Sequence, residues 1–342
     1  SSAQEAISSV IKVQGGSVPS FKILGVDSLV AGVVSEPNQL GLFDEFGQPM
    51  VAQENLEIKV YMPSRSKNYL LYTSDDGRPV LSKNLRVLIP KGSHSTEFHV
   101  CQFEIGDKIV RAEMVVGLNN VQSDSLPIVF TADSPEQLLL ESGNNQIGTV
   151  GQKLDNNLKV KIKDRWDNPV EDTKVSFKLI AQPDWTSGSQ FIAGSSQFKL
   201  NEVGAVFVTD SLGIASTSFK FGDKVGEYII IAEAQGIGTY EFKLVANPDV
   251  FAMEQNYPNP FSYRTNIPIE LPVRSEVTIE IYDPTGALVD RPVQGKTYEI
   301  GRHLILWDAS RYANGVYIYR VLATGENGKK FIQSKSLTLM NQ

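Results

Sequence analysis

Apolar and polar residues alternate one by one along most of this chain. Leu158, Val160 and Ile162 are interleaved with Lys159, Lys161 and Lys163. A period of two sets three aliphatic side chains on one face of a strand and three ammonium groups on the other. The same alternation recurs in Leu56 to Val60, in Val175 to Leu179 and in Val277 to Ile281, with turn residues between them. This is the pattern of half-buried strands joined by tight connections. No long stretch keeps a helical period, and only Ala3 to Val10 and Ser134 to Glu141 are predicted to form a turn or two of helix.

An internal repeat organises the first two thirds. Leu42-Phe43-Asp44-Glu45-Phe46-Gly47-Gln48-Pro49-Met50 matches Ile162-Lys163-Asp164-Arg165-Trp166-Asp167-Asn168-Pro169-Val170, and another alternating strand follows each. Gly47, or Asp167-Asn168, takes the positive φ of a tight turn, and proline presets the exit. The shared offset implies two copies of one strand-turn-strand module. Thr209-Asp210-Ser211-Leu212-Gly213-Ile214-Ala215, followed by Gly226-Glu227-Tyr228 and Ile231-Ala232, resembles the closing strands of invasin-type (group 1) bacterial Ig-like domains over about residues 145 to 246. That resemblance implies a sandwich that serves stalks, spacers and adhesins alike.

With 342 residues, 41% hydrophobic and 21% charged, sandwich modules of about 100 residues divide the chain into three. The expected fold is all-β: three tandem antiparallel Ig-like β-sandwiches. Proline-containing junctions at Ala132 to Pro135 and Asn247 to Asp249 set the expected limits. These are a tail or linker at 1–17, sandwiches at 18–135 and 136–248, and a C-terminal domain at 249–342, joined as a semi-rigid rod. The net charge of -7 offers no attraction to phosphate backbones, so nucleic acid is not an expected partner. No apolar run approaches the roughly 18 residues of a membrane span. The opening Ser1 to Glu5 lacks the basic and apolar regions of a signal peptide, as expected if one was removed or if the sequence is a piece of a longer chain.

Candidate chemistry is sparse. One cysteine, Cys101, permits no intrachain disulfide and is expected inside a strand. The three histidines are His94, His99 and His303. The first two lie five apart on an expected hairpin, on opposite sides of an extended chain, and share no metal there. Zinc, nucleophile-elbow and phosphate-loop motifs are all missing. The expectation is therefore no catalysis and no cofactor. Asp75-Asp76-Gly77 reads as a turn, with Asp75 and Asp76 a weak calcium candidate that lacks alternating oxygen ligands. Of the three tryptophans, Trp185 is the one in a loop, Gln182 to Gly188, where a flat ring would stack on a sugar. The simpler expectation is that Trp166, Trp185 and Trp307 all cover cores or module junctions.

From Phe251 onward the chain changes character. Two prolines flank Asn259 in Tyr257-Pro258-Asn259-Pro260-Phe261. They deny the backbone donors and helical freedom, which predicts a rigid clasp that packs Tyr257 or Phe261 against the domain. Asp283-Pro284-Thr285-Gly286 predicts a hairpin turn, and Asn314-Gly315 turns the chain into the aromatic strand Val316-Tyr317-Ile318-Tyr319. Together with Gly301 to Trp307-Asp308, these segments in this order resemble the type A C-terminal sorting domain of the type IX secretion system of Bacteroidota and related phyla. The resemblance covers about 90 residues; Ser262-Tyr263-Arg264 departs from the Asn-Pro-Thr more usual after the first motif. It implies that the folded domain directs export across the outer membrane, through the type IX machinery. The resemblance further implies that the domain is removed and replaced by attachment to surface lipopolysaccharide, or that the protein is released. The family analogy puts the signal in the last strand and its lysine, here Lys335; Lys329 and Lys330 also leave that tail basic, and the alternative is a solvated edge that discourages sheet pairing.

The expected function is the C-terminal region of a secreted or surface protein whose Ig-like domains form a stalk or adhesive rod. Two alternatives stand beside it: accessory domains behind an N-terminal secreted glycoside hydrolase or peptidase, and a module that binds a glycan or protein ligand.

Overall fold

The computed structural model describes residues 19–63, 69–73, 84–117, 123–192, 197–200 and 204–340. Among them every regular element is a β-strand. The chain falls into two compact units: residues up to Pro135 with the turn Asp164–Asn168, and the remainder from Glu136. The expected helix at Ala3 to Val10, the 1–17 tail and the Asp75-Asp76 calcium candidate lie outside the described residues.

The first unit is a two-sheet sandwich. One sheet runs in the order Ser20–Leu24, Asn38–Phe43, Ser95–Gln102, Tyr69–Tyr72; the other runs Ser28–Val30, Asp124–Thr131, Gly106–Val116, Leu56–Tyr61, Asn84–Ile89. The alternation read from the sequence sets the core: Leu56, Ile58 and Val60 are wholly buried and pack with Leu40, Phe98 and Val110. Cys101 is a buried free thiol in its strand, and burial pushes its pKa up.

The middle sandwich repeats that strand order, the physical content of the sequence repeat. Gln137–Ser142, Leu158–Lys163, Ile214–Lys220 and Gln190–Ile192 form one sheet. Gln146–Thr149, Gly238–Asn247, Gly226–Ala234, Lys174–Ala181, Gly204–Val208 and Gln197–Leu200 form the other. Phe177, Phe191, Phe219, Phe221 and Phe242 fill the space between sheets, none more than 1% exposed. One expectation needs correction. Ser134 to Glu141 is not helical: Gln137–Ser142 pairs antiparallel with Leu158–Lys163, with a bulge after Leu140. Three successive leucines carry no period, and an open sheet edge satisfies their backbone better than an isolated turn of helix. Within these antiparallel sandwiches two short edge pairs run parallel. Ser28–Val30 runs parallel to Asp124–Thr131, and Gln146–Thr149 parallel to Gly238–Asn247.

One turn recurs. At Asp44, Asp164, Asp210 and Asp283 the aspartate N–H donates to the carbonyl four residues on, and its Oδ1 accepts the N–H groups two and four residues on. The residue three positions on takes positive φ: Gly47, Asp167, Gly213 and Gly286, at 77°, 72°, 73° and 89°. Glycine suits this position because it has no Cβ to clash.

The C-terminal sandwich has a three-stranded sheet, Ala252–Met253, Arg264–Leu271 and Gly301–Asp308. Facing it is a four-stranded sheet, Leu288–Tyr298, Ser275–Tyr282, Gly315–Gly325 and Lys330–Leu339. Val277, Ile279 and Ile281 are wholly buried, as their alternation requires.

Both this domain and the middle one carry the tyrosine corner of Ig-like sandwiches. Tyr228 and Tyr317, each two residues into its strand behind a glycine, donate a 2.7 Å hydrogen bond to the carbonyl four residues upstream, at Lys224 and Ala313. Tyr317→Phe, which removes only this bond, is expected to lower stability by about 1 kcal/mol in a denaturant titration. An unchanged midpoint would assign the hydroxyl no role in holding the corner.

Candidate functional site

The motif residues of the C-terminal domain converge on one indole. Trp307 is 1% exposed. Its ring centroid lies 5.8 Å from that of Phe261, 5.5 Å from Tyr312 and 5.9 Å from Tyr317. Its Nε1–H donates to Asp290 Oδ2 at 2.8 Å, which satisfies the polar atom of a buried ring. The first, third and fourth motifs thus share one core cluster, although 56 residues (317 − 261) separate Phe261 from Tyr317 along the chain.

The lead-in segment is a clasp in the literal sense. Buried Asn256 donates through Nδ2 to the Pro258 carbonyl at 3.1 Å and to Thr265 Oγ1 at 3.0 Å, and the Thr265 hydroxyl donates to the Pro258 carbonyl at 2.8 Å. Both Tyr257–Pro258 and Asn259–Pro260 are cis. Tyr257 exchanges backbone hydrogen bonds with Asn266 on the three-stranded sheet. On the opposite sheet the segment grips the last strand. Gln255 Nε2 donates to the Ser336 carbonyl, Thr338 N–H donates to Asn259 Oδ1, Phe261 N–H donates to the Thr338 carbonyl, and Met340 N–H donates to the Phe261 carbonyl, all at 2.7–3.0 Å. Tyr319 O–H adds a 2.9 Å bond to the Glu254 carbonyl, and burial pushes its pKa to about 12. The clasp therefore closes the sandwich across both sheets and covers the outer edge of half the last strand.

The two aromatic residues offered for packing part company. Phe261 is 4% exposed, whereas Tyr257 is 76% exposed. Pro258, Asn259 and Pro260 are exposed with Tyr257, so the clasp turns a polar-aromatic ridge outward. Val316 is about half exposed, while Tyr317 and Gly286 serve the corner and the turn. Asp283 anchors its turn; the Thr285 hydroxyl and the Ala287 N–H hold its carboxyl below the usual range. Asp308 accepts from Ser310 and from Arg264 Nε at 2.9 Å, and the Ser310 hydroxyl leads the groups that hold it down at about 2. Arg264, part of the departure from the usual motif, is thus the ion-pair partner of a motif residue. Lys335 stands opposite Tyr319 in the ladder, half-buried, and away from the clasp contacts.

Sequence reasoning missed a second cluster, on the outer face of the four-stranded sheet. Glu280 is 8% exposed and accepts from Tyr282 O–H at 2.6 Å, Arg320 Nη2 at 2.6 Å and Arg291 Nη2 at 3.0 Å. Period two does place Glu280 and Tyr282 on one face, but the arginines arrive from neighbouring strands. Trp185 also departs from the simpler expectation: it is 93% exposed, while Trp166 packs on Phe103 at 4.5 Å. Among the described residues no group of three or more His, Cys, Asp or Glu is placed to hold a metal, and no helix is long and apolar enough to cross a membrane.

Residues 255–334 match the family described as the secretion system C-terminal sorting domain. This is the type IX sorting domain, and it marks export across the outer membrane to the cell surface or the extracellular space. No curated protein matches the chain. Among solved structures, the chain is similar to the Escherichia coli adhesin FdeC at 12% identity, over 95% of this chain and 97% of that one, with a TM-score of 0.44. It is similar to Yersinia pseudotuberculosis InvD at 11% identity, over 94% and 97%, with a TM-score of 0.45. Dimeric latent PorU from Porphyromonas gingivalis is similar at 12% identity, over 95% of this chain and 34% of that one, with a TM-score of 0.25.

Proposed function

We propose that the sorting domain at residues 255–334 delivers two Ig-like modules, 18–135 and 136–248, to the outside of the cell as a non-catalytic stalk or adhesive region. We further propose that the type IX machinery reads the folded clasp together with the strand it grips. The observation that carries this reading is the clasp itself. Tyr257 to Pro260 are exposed yet held rigidly against Ser336, Thr338 and Met340, so the first motif and the last strand form one surface. The buried motif residues Phe261, Trp307 and Tyr317 then serve as the frame that shapes it. The G-x-Y of the fourth motif also forms the corner of the middle sandwich, so it supplies fold and not address.

A fusion of residues 249–342 behind a periplasmic reporter, in a host with the type IX system, is expected to deliver the reporter outside the cell. Retention in the periplasm would sink the proposal. Within that fusion, Tyr257→Ala and Lys335→Ala are expected to lower export several-fold while the domain stays folded by circular dichroism. If both variants export like the parent, the address lies elsewhere on the domain.

A further inference from the structure

We propose that Trp185 is a sugar-stacking platform and that the middle sandwich binds a neutral polysaccharide through it. The ring is 93% exposed on a residue with φ of 61°. A bulky side chain in the left-handed region is a genuine outlier, and such strain persists only where surrounding structure over-determines it. Here it is over-determined. Ser187 donates from its N–H and its hydroxyl to the two carboxylate oxygens of Asp223 at 2.8 and 3.0 Å, and Asp223 N–H returns a 3.0 Å bond to the Ser187 carbonyl. Thr186 bonds back to the Pro183 carbonyl through its N–H and its hydroxyl. Two glycines make room for the loop. A Cβ on Gly222 would lie 2.2 Å from Thr186 Cγ2 and 2.6 Å from the Ser187 carbonyl oxygen, and one on Gly226 would lie 2.9 Å from Pro183 Cγ.

A loop pinned on both sides of a strained, solvent-facing tryptophan forgoes the burial that an indole ordinarily gains. It presents the ring face in a fixed place with little ordering cost left for a ligand. The residues that follow Trp185 in the loop wall an open hollow of about 830 Å³, with Gln182, Thr186, Ser187, Ser189 and Gln190 on its polar side and Leu179, Ile180 and Ala181 on its apolar side.

The chemistry of the surroundings selects the ligand. The C–H face of a pyranose ring lies flat on an indole, and its hydroxyls need amide and hydroxyl partners at the edge, which this wall supplies. Gln182 to Gln190 contains one acid, Asp184, and no base, while its neighbours Asp223, Lys224 and Lys220 bring one further acid and two bases, so the charges around the loop balance and favour a neutral chain.

The proposal does not depend on the export reading, because binding is measured on the purified chain. The test is calorimetric titration of the 342-residue chain with β-1,4-linked hexaoses of glucose, mannose, xylose and N-acetylglucosamine. At least one is expected to bind, with affinity roughly tenfold or more weaker in Trp185→Ala and partly kept in Trp185→Phe. Trp185→Gly relieves the positive φ, so it is expected to melt within a few degrees of the parent and still to lose binding, which separates platform from scaffold. If none of the four hexaoses binds, or if Trp185→Ala binds as the parent does, the proposal is overturned. Capture of a protein ligand through Trp185 without sugar would overturn it in favour of a protein contact.

Discussion

Trp307→Ala is expected to destabilise the C-terminal domain by about 3–5 kcal/mol, the range for truncating a fully buried large aromatic. The ring is the shared neighbour of Phe261, Tyr312 and Tyr317, so its loss opens a cavity that three further aromatics line. Asp290, its hydrogen-bond partner, keeps an ion pair with Arg311 and is not stranded. Most of the cost is therefore packing. Against a domain stability of about 5–15 kcal/mol, this is a large fraction. Hydrogen exchange on the full chain is expected to show faster exchange across Gly301–Asp308 and Gly315–Gly325, with the two preceding sandwiches unchanged. Trp307→Phe, which keeps a ring but not the N–H, is expected to cost less than half as much. If the alanine variant exchanged like the parent, the convergence of motifs on this indole would be incidental to the fold. If it unfolded locally yet was exported normally, the address would not require the folded clasp.

The sequence carried much of this domain because its signals are local. Alternation in Val277 to Ile281 fixed which side chains enter the core, and Asp283 to Gly286 contains every group its turn uses. What stayed illegible is pairing at a distance. Trp307 finds Asp290 across 17 residues, and Tyr319 finds the Glu254 carbonyl across 65. Neither pairing leaves a periodic trace, because nothing in one strand specifies its neighbour in the sheet. The edge strand Gln137–Ser142 failed for the same reason from the other side. Its leucines are partly exposed, with Leu139 at 40% and Leu140 at 39%, so no inward face imposes an alternation. Trp185 shows a third limit: composition marked the ring, but only the positive φ and the Asp223 bonds reveal that the loop holds it outward.

The Glu280 cluster makes the stability of this domain dependent on pH in a way that one substitution isolates. The Tyr282 hydroxyl, then the Arg320 and Arg291 guanidinium groups, hold its carboxyl at about 2 against an ordinary 4.5. The folded state thus binds this proton less readily than the unfolded chain does. The contribution is complete above the ordinary value, declines as pH falls below it, and is gone once pH passes below the folded value. For an unscreened pair such a depression corresponds to roughly 3 kcal/mol. The Arg320 and Arg291 side chains are 40% and 39% exposed, however, so solvent screens the pair and both can turn to water when the carboxylate is lost. About 1–2 kcal/mol is the expected cost of Glu280→Gln at pH 7. In urea titrations of parent and variant, the difference is expected to persist at pH 5 and to shrink steadily between pH 4.5 and 3. Asp283 and Asp308, whose carboxyls are also held low, are common to both proteins and cancel in that difference. A difference that did not vary with pH would mean that the substitution acts through packing of the outer sheet face, and that the carboxylate charge contributes nothing.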